Sequence, residues 1–226
     1  MKKIGIIGGI SPTSTKLYYD LLIKSSLEKY YCYPKIIIYS VDFNKCWKLL
    51  SSNRIKELSN DFLKVINLLR RAGADYIVIS AVSMHIVMNY LKDRTPLPII
   101  DGWDCLIKRI SQDQKKNILL MGTDYIMKSH TFNQYFDKYR INLIIPSKGE
   151  RQEIEFIIKN QLNKGIIQKN SKQKLLSVIN TYKNKIDGVC LACTALPTII
   201  QQLDLSELKL YNFVELHVEK ITSYIK

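Results

Sequence analysis

The stretch Asp75-Tyr76-Ile77-Val78-Ile79-Ser80-Ala81-Val82-Ser83-Met84-His85 returns in pattern at Asp187-Gly188-Val189-Cys190-Leu191-Ala192-Cys193-Thr194-Ala195-Leu196-Pro197. In each copy an aspartate precedes an unbroken apolar run, and the run gives way to small residues leading toward a helix. Apolar runs without polar alternation suit strands buried on both faces of a parallel sheet. A fainter echo pairs residues 4–9 with 117–123, each an apolar strand followed by a turn that contains glycine. Two related half-molecules follow from these echoes. Both would place their strand ends at a carboxyl edge, where open α/β sheets bind ligands. In that register Ala81 matches Cys193.

Outward from this core, short apolar runs predict strands at residues 3–7, 35–39, 76–79, 98–100, 117–121, 143–145, 188–192 and 208–211. Helical periodicity fills the gaps. Residues 13–28 place Leu17, Leu21, Leu22 and Leu27 near one face, and residues 55–71 do so with Leu58, Phe62, Val65 and Leu69 before closing at Ala72-Gly73. Further helices are expected at 153–162, 172–182 and 215–224. The alternation predicts an α/β fold of two similar lobes, each a mainly parallel sheet flanked by helices. Residues 1–98 with 208–226 are assigned to the first lobe and 99–207 to the second.

The chain has 226 residues, 46% hydrophobic and 24% charged, which is ordinary for a globular protein. No apolar run approaches the roughly 20 residues of a membrane helix. Met1-Lys2-Lys3 followed by an apolar stretch lacks a cleavage site and reads as a first buried strand, so a cytoplasmic, membrane-free protein is expected. The five cysteines are scattered and odd in number, which favours reduced thiols. Cys190 and Cys193 form a lone C-x-x-C, and no metal is expected. The net charge of +14 is spread along the chain without a nucleic-acid-binding motif, so it is read as a solvated surface rather than a nucleic-acid site.

Three segments carry chemistry. Gly8-Gly9-Ile10-Ser11-Pro12-Thr13-Ser14-Thr15 joins a strand, a glycine turn and a hydroxyl-rich helix start. Its amides and hydroxyls suit a carboxylate, and a capped helix is the plainer alternative. Neither the dinucleotide fingerprint nor a P-loop is present. Cys193-Thr194, after a buried strand and near a helix start, offers a thiolate stabilised by backbone dipoles, or else inert packing. Ser83-Met84-His85 holds the matching place in the first half. His85 there either orients a substrate or is a hydrogen-bonded structural residue. Thr123 is a second anion-facing hydroxyl or a cap, and His217 reads as structural.

Taken in order, these segments resemble the aspartate/glutamate racemase family almost end to end. The anchors are Gly8-Gly9-x-Ser11 with Ser14-Thr15, Tyr39-Ser40-Val41-Asp42-Phe43, Ala72-Gly73-Ala74-Asp75, Met84-His85, Leu120-Met121-Gly122-Thr123, Lys164-Gly165-Ile166-Ile167, Cys193-Thr194 and His217. The resemblance implies pseudo-twofold lobes with the substrate enclosed between them, a homodimer, and racemisation of a small amino acid or carboxylate without metal or pyridoxal phosphate. One thiol removes the α-proton and a second, from the other lobe, returns one.

The second-lobe thiol carries over to Cys193. The first-lobe position is Ala81, which transfers no proton. Where the family reads Cys or Thr followed by Asn-Thr-x-His, this chain has Ala81-Val82-Ser83-Met84-His85. The Cys-Thr-Glu pattern becomes Cys193-Thr194-Ala195, and Asp-Thr-Thr before the late histidine becomes Asn212-Phe213-Val214. Three readings follow: a racemase with Cys193 as one base and Ser83, His85 or water as the other; a one-thiol decarboxylase or isomerase; and a non-catalytic metabolite-binding relative. Under the first, Gly9, Ser11, Thr123, Lys164 and Thr194 are the expected substrate contacts.

Overall fold

Strand β1 (Lys3–Gly8) pairs in parallel with β2 (Lys35–Ser40) on one side and β3 (Tyr76–Ile79) on the other, giving the order β2-β1-β3. The computed structural model behind this description covers residues 1–205 and 207–226. Between the strands run α1 (Pro12–Tyr30), α2 (Phe43–Ser51) and α3 (Ile55–Arg71). After β3 come a 3-10 turn over Val82–Val87 and the short α4 (Met88–Leu91).

Helix α3 forms because its apolar residues recur every three or four positions. Ile55, Leu58, Phe62, Val65, Ile66 and Leu69 are all buried, each contributing about 1.5–3 kcal/mol by leaving water. It packs onto β1 at Gly5, where a Cβ would lie 3.3 Å from the Cβ of Leu69 and 3.0 Å from that of Ala74. A side chain there would force these neighbours back by a few tenths of an ångström, so glycine suits the close approach. Of the expected leucine face, helix α1 fully buries only Leu22. Its buried stripe is Ser14, Tyr18, Leu22 and Ser26, spaced by four, while Leu17, Leu21 and Leu27 stay half-buried. The small serines let this helix lie close, and Tyr18 is drawn inward by a polar partner, His217.

The second sheet has the order β5-β4-β6-β7, all parallel, from β4 (Asn117–Gly122), β5 (Asn142–Ile144), β6 (Gly188–Ala192) and β7 (Lys209–Asn212). Its helices are α5 (Gly102–Gln112), α6 (Asp124–Lys128), α7 (His130–Asp137), α8 (Lys148–Asn160) and α9 (Lys169–Tyr182), and α10 (Phe213–Thr222) follows β7. The aromatic centre of this part is Trp103, stacked on Phe132 at 4.9 Å and edge-on to Phe213 at 5.1 Å. Among the described residues no helix is long and apolar enough to cross a membrane.

The chain divides into two units, Met1–Gly102 with His217–Lys226 and Trp103–Leu216. The expected return to the first lobe at residue 208 is therefore too early. β7 is hydrogen-bonded to β6, from Gly188↔Lys209 to Leu191↔Asn212, and the crossing falls inside α10. Residues 98–100 do not form a strand either, and only an isolated bridge, Ile77↔Ile99, stands in their place. That bridge lies against β3 as β7 lies against β6, so the two sheets share one plan. The start of α8 is also earlier than expected, because Ser147 and Glu150 form a capping box.

The internal echo is physical. Asp75 donates its amide to the carbonyl of Lys3 at 2.8 Å, and its carboxylate accepts the Lys3 amide at 2.7 Å. Asp187 repeats this with Asn117 at 2.7 and 2.8 Å and also accepts the Lys116 amide at 3.0 Å. In both, the backbone amide is the main cause that holds the carboxyl below its ordinary range.

Candidate active site

Cys193 is the first residue beyond β6 and is buried. The chain then turns tightly, with the Leu196 amide donating to the Cys193 carbonyl at 3.3 Å, into a 3-10 turn over Leu196–Thr198. Burial pushes the thiol up to about 11. The backbone amides of Ala195 and Leu196 act against that by hydrogen-bonding the sulfur, and the Glu155 carboxylate adds to it. The expected helix N-terminus is thus only a 3-10 turn, and two amides in that turn provide the local stabilisation instead. Cys190, three residues earlier, is fully enclosed within β6, and burial alone drives its thiol far upward.

Beside Cys193, the ladder pairs Gly122 with Ala192, so Thr123 and Cys193 leave adjacent strands at the same level. Thr123 caps α6, its hydroxyl accepting the Ile126 amide at 3.4 Å. Asp124 meets the Arg151 guanidinium at 3.1 Å, and its amide donates to Glu155 at 3.0 Å. Arg151 also donates to the Pro146 carbonyl at 2.8 Å. Lys128 and Arg151 hold the Asp124 carboxyl below its ordinary range against the opposing effect of its burial. On the other flank, Leu191 pairs with Asn212, whose side chain accepts the Val214 amide at 3.1 Å.

In the first unit, Ala81 occupies the matching place at the end of β3, and the Met84 amide donates to its carbonyl at 3.2 Å. His85 is fully buried. Its Nδ1 lies 3.1 Å from the Ala81 carbonyl and must donate, because a carbonyl only accepts. Its Nε2 accepts the Gly102 amide at 3.2 Å. Burial lowers its pKa against a smaller opposing pull from Asp101, so the ring is neutral. His217 is likewise held neutral, down to about 3, by burial and by His85. It donates from Nε2 to Ile100 at 2.8 Å and accepts from the Tyr18 hydroxyl at 2.9 Å.

The glycine turn closes on itself. Gly9, at φ +87°, donates its amide to the Thr15 hydroxyl at 3.0 Å, and the Thr15 oxygen lies 3.2 Å from that of Ser80. Ser11 caps α1 by accepting the Ser14 amide at 3.2 Å. The amide expected to face a carboxylate is therefore engaged internally. His85, expected as a proton carrier, has both ring nitrogens bound to backbone. Ser83 sits half-buried in the 3-10 turn, and Thr194 is half-buried beside Cys193. Lys164 is exposed in a 3-10 turn before Gly165, and no described contact joins it to Cys193. Asp124, Arg151 and Glu155, linked to one another next to Thr123, are not among the residues expected from the sequence. The i, i+4 spacing of Arg151 and Glu155 on α8 was the available signal once the capping box fixed where α8 begins.

A parallel α/β unit built twice, with a thiol and hydroxyls gathered at carboxyl strand ends, is the two-lobed racemase fold. Residues 7–221 match the model of the Asp/Glu/Hydantoin racemase family, and the chain belongs to that family. A crystal structure from Yersinia pestis, provisionally named an Asp/Glu racemase, is 27% identical over 100% of this chain and 99% of its own, with a TM-score of 0.92. An aspartate racemase homologue from Pyrococcus horikoshii is 30% identical over 99% and 100%, with a TM-score of 0.88. A glutamate racemase isoform from Bacillus anthracis shares the fold at 14% identity over 98% and 80%, with a TM-score of 0.70. Family and neighbours support a racemase-type function.

Proposed function

We propose that the protein moves a proton at the α-carbon of an acidic amino acid or a related small carboxylate, without a cofactor, and that Cys193 is the proton carrier. The observation carrying this reading is the buried Cys193 thiol just beyond the end of β6, level with Thr123 on the neighbouring strand, where the Ala195 and Leu196 amides favour its thiolate against burial. Its thiolate removes the α-proton, the electron pair passes into the carboxylate as an enediolate, and a proton then returns to carbon. Thr123, level with Cys193 on the neighbouring strand, and Thr194, the next residue in the chain, are the proposed donors to that carboxylate. With a pKa of about 11, forming the thiolate at pH 7.5 costs about 5 kcal/mol, a barrier that a substrate ammonium group lowers. Ser83, or water held there, is the first-unit candidate for returning a proton. The homodimer and cytoplasmic location implied by the resemblance belong to the same proposal.

A second reading has a specific observation in its favour. Ala81 carries no proton and Cys193 rests protonated, so the thiol is better prepared to donate than to abstract. Such a residue suits protonation of an enolate left by loss of carbon dioxide. Proton NMR in deuterated water with L-aspartate, L-glutamate and a substituted malonate separates the two, with Cys193→Ala as control. Loss of the α-proton signal with formation of the D-isomer supports the racemase. Malonate consumption without amino-acid exchange supports the decarboxylase, and no turnover of any of the three rejects both.

A further inference from the structure

The basic residues that look scattered along the chain are gathered by the fold at the amino ends of the first unit's strands. Lys2 precedes β1 and Lys3 opens it, Lys35 opens β2, and Arg70 and Arg71 end α3 ahead of β3. The Lys2 amide donates to the Ile225 carbonyl at 2.9 Å, which brings Lys226 to the same face. Lys29 and Lys226 both lie over the Tyr30 ring, at 5.4 and 4.9 Å from its centre. Lys220 lies over Tyr224 at 4.8 Å, and that ring packs 4.9 Å from Tyr76. Next to Tyr30, Tyr31 and Tyr33 are 90% and 67% exposed. The described acidic groups ion-paired here are Asp75 with Lys2 at 3.6 Å and Glu28 with Lys24 at 3.9 Å.

Clustered cations that neutralise phosphates, interleaved with open tyrosine rings that stack bases, are the two components of single-strand recognition. We propose that this amino-edge face of the first unit binds single-stranded nucleic acid, independently of the α-carbon chemistry. An anionic membrane also attracts lysines, but its binding uses large apolar anchors, whereas the open rings here are tyrosines. Linear sequence concealed the face because its residues come from four separate segments.

The test is fluorescence anisotropy of a labelled uridine oligomer with the full chain, across a salt series, beside a duplex of the same length and phosphatidylserine vesicles. The expected result is tight binding of the single strand at low salt. Lys29→Glu with Lys226→Glu should weaken it at least about tenfold and flatten the salt slope by about 1.4. Tyr31→Ala with Tyr33→Ala should weaken it about fivefold with the slope unchanged. Lys56→Glu with Lys169→Glu makes the same charge change in the first turns of α3 and α9, and should leave binding within about twofold. Equal loss in that control overturns the proposal, as does absence of binding at low salt. Vesicle binding without oligomer binding, or a duplex bound as well as the single strand, overturns it too.

Discussion

At the end of β3 the Ala81 carbonyl accepts the Met84 amide at 3.2 Å, and at the end of β6 the Cys193 carbonyl accepts the Leu196 amide at 3.3 Å. The same turn is then completed in two ways. The fourth residue after Ala81 is His85, whose ring ties the turn to Gly102. The fourth residue after Cys193 is Pro197, which fixes the backbone without a polar side chain, and the Ala195 and Leu196 amides before it favour the thiolate against burial. One turn is tied down by a buried imidazole, the other by backbone alone around a buried thiol. A histidine next to a strand end is thus no guide to acid–base chemistry until its two nitrogens are accounted for.

The largest effect expected from breaking this comparison is at the thiol. Cys193→Ala should reduce α-proton exchange by about 10²–10⁴-fold in the deuterium NMR assay while leaving the circular dichroism spectrum unchanged. Next is the pH dependence of stability in the first unit. Unfolded His217 takes up a proton below about pH 6.5, while the folded residue resists until about 3, so its contribution is complete above 6.5 and lost as pH falls. Urea unfolding should show a loss of about 2 kcal/mol between pH 6.5 and 5.0, and His217→Gln should flatten that slope. A constant stability over that range would rule out a buried, neutral His217.

Ala81→Cys puts a thiol at the matching place. It should raise D-isomer formation relative to deuterium uptake by about tenfold, if the first unit's strand end faces substrate as the racemase proposal requires. Chiral chromatography of the products measures the ratio. The smallest effects lie at the paired aspartates. Asp187→Ala should cost about 2 kcal/mol and Asp75→Ala about 1, since Asp75 accepts fewer amides and its ion pair with Lys2 is screened by solvent. Both carboxyls are held below 3.8, so their contribution is present above about pH 4 and lost as pH falls below it.

The fold was legible where residues face one environment. The runs at β3 and β6 are buried on both faces, and their apolar pattern gave correct limits. Residues 98–100 are equally apolar, yet only Ile99 pairs, because whether a run becomes a strand depends on its neighbours rather than on itself. Helix α1 lies where its periodicity predicts, but of the expected leucines only Leu22 lines its inward face, with two serines and a tyrosine. At the candidate site, the place of Cys193 just after a buried strand was legible. The engagement of Gly9, Ser11 and His85 was not, because each depends on a partner's distance: Thr15, the Ser14 amide and Gly102.

The isolated bridge at Ile99 has a consequence for how the molecule opens. Two amide hydrogen bonds hold it, Ile77 to Pro98 and Ile100 to Ile77, both at 2.9 Å, where β7 has a continuous ladder against β6. Local openings begin where the fewest backbone bonds must break together. The Ile100 amide should therefore exchange with solvent deuterium well before those of β6. The segment leading to Gly102, which both buried histidines grip, would be the first part of the first unit to come undone and the last to lock on refolding.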